Sequence, residues 1–150
     1  MKICICCSAG GHLIEALQIK DAYKDYDYFF FTFYQKGIID EIKKERVYFS
    51  INPERNIIKF FKCITDTFKV LMKEKPKIII STGAGFAIPS IILGKLLFRS
   101  KIIFIETFTR IYEPSMSGKI AYYFSDLFFV QWKQLLSKYG KKAVYRGAVF

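Results

Sequence analysis

Short, almost continuously apolar runs alternate with longer amphipathic stretches from one end of the chain to the other. Lys2 to Cys7, Tyr26 to Phe33 and Val47 to Ile51 read as strands, as do residues 77–81, 101–106, 127–132 and 142–146. Between them lies a helix at 12–23, where Leu13, Ala16, Leu17 and Lys20 fall at helical spacing. A short charged helix follows at 36–45. Asn52-Pro53-Glu54 opens a long amphipathic helix through about Glu74, with Asn52 as cap, Pro53 in the first turn and Pro76 beyond its end. Further helices are predicted at 86–98, near 118–125 and at 133–139. Apolar strands alternating with helices predict an α/β fold: a Rossmann-like parallel sheet with helices on both faces. No repeat or linker interrupts the order, so residues 1–150 are expected to form a single domain. With right-handed crossovers and a strand order 3-2-1-4-5, a ligand crevice opens beside the first strand.

Two glycine turns would line that crevice. The first strand runs into Ser8-Ala9-Gly10-Gly11-His12, and the fourth into Ser81-Thr82-Gly83-Ala84-Gly85-Phe86. Each precedes a predicted helix, so each places main-chain N–H groups at a helix N-terminus, an arrangement suited to phosphate. Matching places on one sheet suggest one ligand carrying a diphosphate. Gly10-Gly11 lacks the G-x-G-x-x-G spacing of a dinucleotide site, and no acidic residue closes the second strand. Neither turn is followed by Gly-Lys-Ser/Thr, so nicotinamide and ATP chemistry are not expected.

Composition narrows the partners. The chain is 52% hydrophobic and 18% aromatic, yet its formal net charge is +11. An apolar and basic chain fits an anionic membrane surface, phosphorylated substrates or nucleic acid; scattered lysines without a nucleic-acid motif argue against the last. The longest apolar run, Phe86 to Phe98, is broken by Pro89, Ser90, Gly94 and Lys95, short of the ~20 residues a membrane span needs. With the first strand beginning at Lys2, neither a leader nor an anchor is expected, and the reading is a cytoplasmic protein peripheral on the inner membrane face. In the long helix, Lys59, Lys62, Lys69 and Lys73 interleave with Ile57, Phe60, Phe61, Ile64, Phe68 and Leu71. That helix reads mainly as one core face and one solvated face. The 86–98 run, flanked by Arg99 and Lys101, reads as contact with lipid or a partner. Cys4 and Cys6 share one face of the first strand and Cys7 the other, so these thiols and Cys63 are expected to be buried, and no metal site is expected.

His12, the sole histidine, directly follows the double glycine. A helix N-terminus disfavours positive charge there, which suits a general base or a hydrogen-bond donor. Glu106 ends the strand Ile102-Ile103-Phe104-Ile105 and would point into the crevice, where a carboxylate could take a sugar hydroxyl's proton. Ser117-Gly118-Lys119 opens another helix and would add N–H donors and a cation.

Taken together, these motifs resemble the N-terminal, acceptor-binding half of GT-B glycosyltransferases of the MurG type. The resemblance is carried by Gly10-Gly11-His12, Thr82-Gly83-Ala84-Gly85-Phe86 with Pro89, Glu106 and Ser117-Gly118-Lys119. It is closer still to stand-alone versions of that half: PssD-like proteins and the anchoring subunit of the eukaryotic enzyme that adds the second N-acetylglucosamine to dolichol-pyrophosphate. That subunit has an N-terminal transmembrane helix, which is not expected here. The resemblance implies an acceptor-binding half domain of an inverting, two-chain glycosyltransferase, inactive without its partner. Ser8, Gly10, Gly11, Thr82, Gly83, Ala84, Gly85, Ser117 and Lys119 would bind a polyprenyl-diphosphate saccharide, and His12 or Glu106 would be the base. A separate donor-binding subunit would hold most of the UDP-sugar, no cofactor being tightly bound. The C-terminus, including Val149 and Phe150, would help hold that subunit. A non-catalytic module docking a partner glycosyltransferase on the membrane is the alternative.

Overall fold

The computed structural model describes residues 1–54 and 56–150, Ile38 by its backbone alone. Its strands are β1 (Lys2–Cys7), β2 (Asp27–Phe33), β3 (Val47–Ser50), β4 (Ile78–Gly83), β5 (Lys101–Ile105), β6 (Leu127–Val130) and β7 (Ala143–Tyr145). The helices are α1 (Gly11–Gln18), α2 (Ile57–Glu74), α3 (Ile88–Leu96), α4 (Met116–Phe124) and α5 (Leu136–Tyr139). The strands form one parallel sheet in the order β3-β2-β1-β4-β5-β6-β7. Chain direction reverses its march across the sheet between β1 and β4, so the expected switch point lies there.

Both faces are covered, unequally. On one face Cys4, Cys6, Phe29, Phe31, Ile79 and Phe104 pack against Cys63 and Leu71 of α2, Ile91 of α3 and Ala121 of α4. On the other, Ile3, Ile5, Cys7 and Phe30 meet Leu13 and Ala16 of α1, together with Tyr23 and Ile42. Cys7 thus faces away from Cys4 and Cys6, as strand alternation requires. All four thiols are buried and unpaired. Burial pushes the Cys7 thiol up to about 12 and those of Cys4 and Cys6 well above their ordinary value, so none supplies a thiolate nucleophile.

Several elements depart from the sequence reading for local reasons. The first helix stops at Gln18 and gives way to a 3₁₀ turn, Lys20–Ala22, because Tyr23 turns inward and its hydroxyl donates to the Ala16 carbonyl at 2.8 Å. The 36–45 helix is a 3₁₀ turn, Ile38–Ile42. The long helix begins at Ile57, and Asn56, not Asn52, caps it by accepting from the Lys59 N–H at 3.0 Å. Asn52 instead accepts from the Glu54 N–H at 3.2 Å, a local turn that leaves Pro53 outside the helix; Arg55 falls outside the described residues.

Exposure of the two candidate contact helices differs from the sequence reading. Ile88, Pro89, Ile91 and Gly94 of α3 are buried, with Leu96 and Leu97 exposed only at its end. In α2, Ile57, Ile58, Phe61, Phe68 and Met72 are exposed among the lysines. The helix expected to be half core and half solvated therefore carries the larger apolar surface. Among the described residues no helix is long and apolar enough to cross a membrane.

Candidate functional site

A bulge brings the two glycine turns together. Opposite β1, the pairing of β4 slips by one residue between Ile5–Ile80 and Cys7–Gly83. The extra residue re-aims the end of β4 toward the start of α1. There Thr82 and His12 form a reciprocal clamp. The Thr82 hydroxyl donates to the His12 carbonyl at 2.6 Å, and His12 Nδ1 lies 2.9 Å from the Thr82 carbonyl. A carbonyl only accepts, so Nδ1 carries the proton, which leaves Nε2 as the nitrogen that can accept one. Gly83 makes the approach possible: a methyl at this position would lie 2.9 Å from His12 Cε1, and its φ of +122° disfavours any side chain.

Both turns leave helix-start amides uncapped. Gly10, with φ +106°, precedes α1 and offers no side-chain cap. Ala84 precedes the Gly85–Ala87 turn, also uncapped, with φ +73° and ψ +157°, a region that glycine normally occupies. Gly11 and Gly85 have no positive φ, and a methyl on either would meet nothing within 4 Å. The fold does not require glycine at either place. Each leaves bare backbone facing open space, which is what close approach of a ligand requires.

A polar crevice of about 310 Å³ lies over this junction, lined by His12, Ala84, Gly85, Thr107, Thr109, Arg110, Ser115, Met116 and Ser117. Across the Ala84–Gly85 ridge is a second hollow of about 340 Å³, where Ser8 lies with Phe33, Phe60 and Phe86. Ser8 is thus on the far side of the ridge from His12. The Thr82 hydroxyl proton is committed to the His12 carbonyl, and the Thr82 carbonyl faces the imidazole Nδ1.

Glu106 is corrected most. It is fully buried. Its Oε1 accepts from the Thr107 N–H at 3.0 Å and the Ser115 hydroxyl at 2.8 Å; its Oε2 accepts from the Ser115 N–H at 3.1 Å and from the Tyr139 hydroxyl. Burial, then the Glu106 carboxylate, raises the Tyr139 phenol, which keeps it a donor. Glu106 therefore anchors the start of α4 from beneath and does not reach the crevice. The third helix start is corrected with it. α4 begins at Met116, one residue before the predicted opening, and Ser115 caps it by accepting from the Gly118 N–H at 2.8 Å. Gly118 is small because Glu106, Ser115 and Tyr139 crowd it. Ser117 lines the crevice, whereas Lys119 is exposed outside it.

The sequence reading missed several residues. Arg110 is the cation among the described crevice-lining residues, with Thr107 and Thr109 beside it. Glu15, one helical turn after His12, is buried and accepts from the Thr107 hydroxyl at 2.8 Å and the Phe108 N–H at 3.1 Å. Burial raises its pKa; these bonds and nearby His12 pull the other way. The i, i+3 spacing from His12 was the available signal. Among the described residues no cluster of three or more His, Cys, Asp or Glu could hold a metal ion.

This sheet, with its reversal at β1/β4 and paired glycine turns, has a Rossmann-like fold of the GT-B type. MurG of Acinetobacter baumannii matches 99% of the chain with a TM-score of 0.76 at 13% identity, over 46% of its own length. Staphylococcus aureus MnaA, solved with UDP, matches with a TM-score of 0.77 at 18% identity, again over 45% of its length. At sequence level, residues 43–149 match the family described as oligosaccharide biosynthesis protein Alg14 like, and the chain belongs to that family. The human UDP-N-acetylglucosamine transferase subunit ALG14 is 36% identical over 88 residues, 55% of this chain and 40% of the human protein. A Staphylococcus aureus pyrophosphoryl-undecaprenol N-acetylglucosamine transferase is 33% identical over 106 residues, 70% of this chain and 29% of that enzyme. The matched region thus spans less than half of either relative.

Proposed function

We propose that this chain is the acceptor-binding subunit of a two-chain, inverting glycosyltransferase that moves a sugar, N-acetylglucosamine or another hexose, from a UDP-sugar to a polyprenyl-diphosphate-linked saccharide. The observation that carries the reading is the junction of two uncapped glycine turns around one oriented histidine. The diphosphate lies against the amides of Gly11 and Gly85, with Arg110 as its cation. His12 Nε2 takes the proton of the acceptor hydroxyl as that oxygen bonds to the anomeric carbon. The bond from that carbon to UDP breaks, and UDP leaves with the electron pair. The donor is held mainly by a partner subunit docked near the C-terminal tail, and the chain binds no tight cofactor. In this reading the complete domain works at the cytoplasmic face of the membrane, with α2 against anionic lipid.

The exposed apolar side chains of α2 and their lysines also favour the second reading, a non-catalytic module that docks a partner glycosyltransferase on the membrane. The two separate in one experiment: co-purification with a donor-binding subunit, then transfer to a short-chain polyprenyl-diphosphate sugar. His12→Ala should lower kcat at least a hundredfold while the complex still forms. Full turnover by that variant would remove the catalytic reading and leave the docking module.

A further inference from the structure

Beneath the crevice lies a buried polar junction that belongs to neither glycine turn. Gln131, just beyond β6, is 2% exposed. Its Oε1 accepts from the Val149 N–H at 2.9 Å. Its Nε2 donates to the Glu106 carbonyl at 3.0 Å and to the Glu15 carboxylate at 3.4 Å. A second thread runs alongside. The Phe108 N–H donates to Glu15 at 3.1 Å, and its carbonyl accepts from the Trp132 indole at 2.7 Å. The Phe108 ring packs 5.0 Å from Trp132 and meets Phe150 edge-on at 5.4 Å.

Two contacts therefore link residues 149–150 to the segment Glu106–Phe108: Phe150 meets the Phe108 ring directly, and Val149 reaches the Glu106 carbonyl through Gln131. The wall of the crevice starts there: Thr107, Thr109 and Arg110 all line it, and the Arg110 N–H donates back to the Thr107 carbonyl at 3.1 Å. The tail, residues 146–150, has no helix or strand of its own, and Phe150 is 63% exposed. A buried amide that loses Val149 leaves an unpaired oxygen and is free to turn, disturbing its bonds to Glu15 and Glu106.

We propose that Gln131 and Phe108 are positioning residues through which residues 149–150 brace the Thr107–Arg110 wall, so that the packing of that segment sets the crevice's affinity for its phosphorylated ligand. This rests on the proposed reading of the crevice as a diphosphate site. Neither residue is required to touch the ligand; each acts through the backbone of the wall.

The chain has one tryptophan, Trp132, which sits in the link and reports on it by fluorescence. The test uses the full chain, inorganic diphosphate as probe, and the variants Phe150→Ala and Gln131→Leu. Phe150 is exposed, so Phe150→Ala should keep its Tm while Trp132 emission shifts to the red. Amide exchange over residues 107–110 should quicken roughly fivefold or more, and diphosphate affinity should fall about three- to tenfold. Gln131→Leu should do the same more strongly, and if it does not fold, Phe150→Ala decides alone. Wild-type emission, exchange and affinity in Phe150→Ala would overturn the coupling and leave the diphosphate site standing. Conversely, no diphosphate binding by the unaltered chain, with the wall still loosened in Phe150→Ala, would overturn the diphosphate site and uphold the coupling.

Discussion

Replacing Gly85 by alanine separates what the fold needs from what a ligand needs. Gly85 has no positive φ, and the added methyl meets nothing within 4 Å. The folded state should accept it without strain. The unfolded chain loses freedom, so stability should be unchanged or rise by about 0.4–1 kcal/mol. For a domain of this size that is roughly 1–4 °C in Tm. If a diphosphate lies against the Gly85 amide, the methyl stands where the phosphate oxygens approach. Losing one hydrogen bond to a charged group costs about 1.5–3 kcal/mol, which weakens acceptor binding ~10- to 150-fold. The assays are thermal unfolding of the purified chain and acceptor KM in the reconstituted pair. Retained Tm with an unchanged KM would falsify the idea that backbone at Gly85 touches the ligand. A large fall in Tm would instead show that the glycine is there for packing.

Thr82→Val removes the hydroxyl that clamps His12 while sparing the carbonyl that orients Nδ1; kcat should fall about tenfold with the acceptor KM near wild type, and a pure KM effect would restore Thr82 as a ligand. Glu106→Gln turns an acceptor into a donor facing Ser115 and Tyr139, so urea unfolding should show a loss of about 2–4 kcal/mol, and an unchanged midpoint would contradict its anchoring role. Burial raises the Glu74 carboxyl, but hydrogen bonds from Lys2 and Tyr48 and the charge of Arg46 outweigh it and hold it below its ordinary 4.5. The unfolded state then binds more protons just below that pH, so stability should fall on acidification from about pH 5, and Glu74→Gln should flatten that fall in a pH series of denaturation midpoints. Ile57→Asp with Phe61→Asp, both exposed on α2, should leave Tm nearly unchanged yet lower binding to vesicles containing phosphatidylglycerol at least tenfold. Equal vesicle binding by that variant would remove α2 from any membrane contact.

The alternation of apolar strands and helices was readable because a parallel sheet buries both faces of every strand. The strand count, the parallel topology, the β1/β4 neighbours and the opposed faces of Cys6 and Cys7 all followed from period and crossover handedness. So did the two glycine turns, since a strand-to-helix corner with bare backbone leaves its mark in consecutive residues. Helix ends were less legible: choosing between Asn52 and Asn56 as cap depends on where Pro53 packs, which no local pattern states.

The candidate site divides along the same line. Sequence alone determined which corners carry glycine and which helix starts with histidine, because those are properties of a few adjacent residues. Tertiary structure decided which atoms are free. Glu106 looks like a crevice carboxylate until Ser115, nine residues on, and Tyr139, 33 residues on, close over it. Ser117 and Lys119 look like an anion site until Ser115 caps the helix first. Thr82 looks like a ligand until a bulge turns its hydroxyl onto His12. Arg110 and Gln131 carry no local motif, and Glu15 only its i, i+3 spacing from His12; they gain meaning where loops and strand ends converge, as between Glu15 and Thr107, 92 residues apart. Hydrogen-bond capacity is consumed by whatever neighbour the fold supplies, and long-range neighbours are what a linear pattern does not contain.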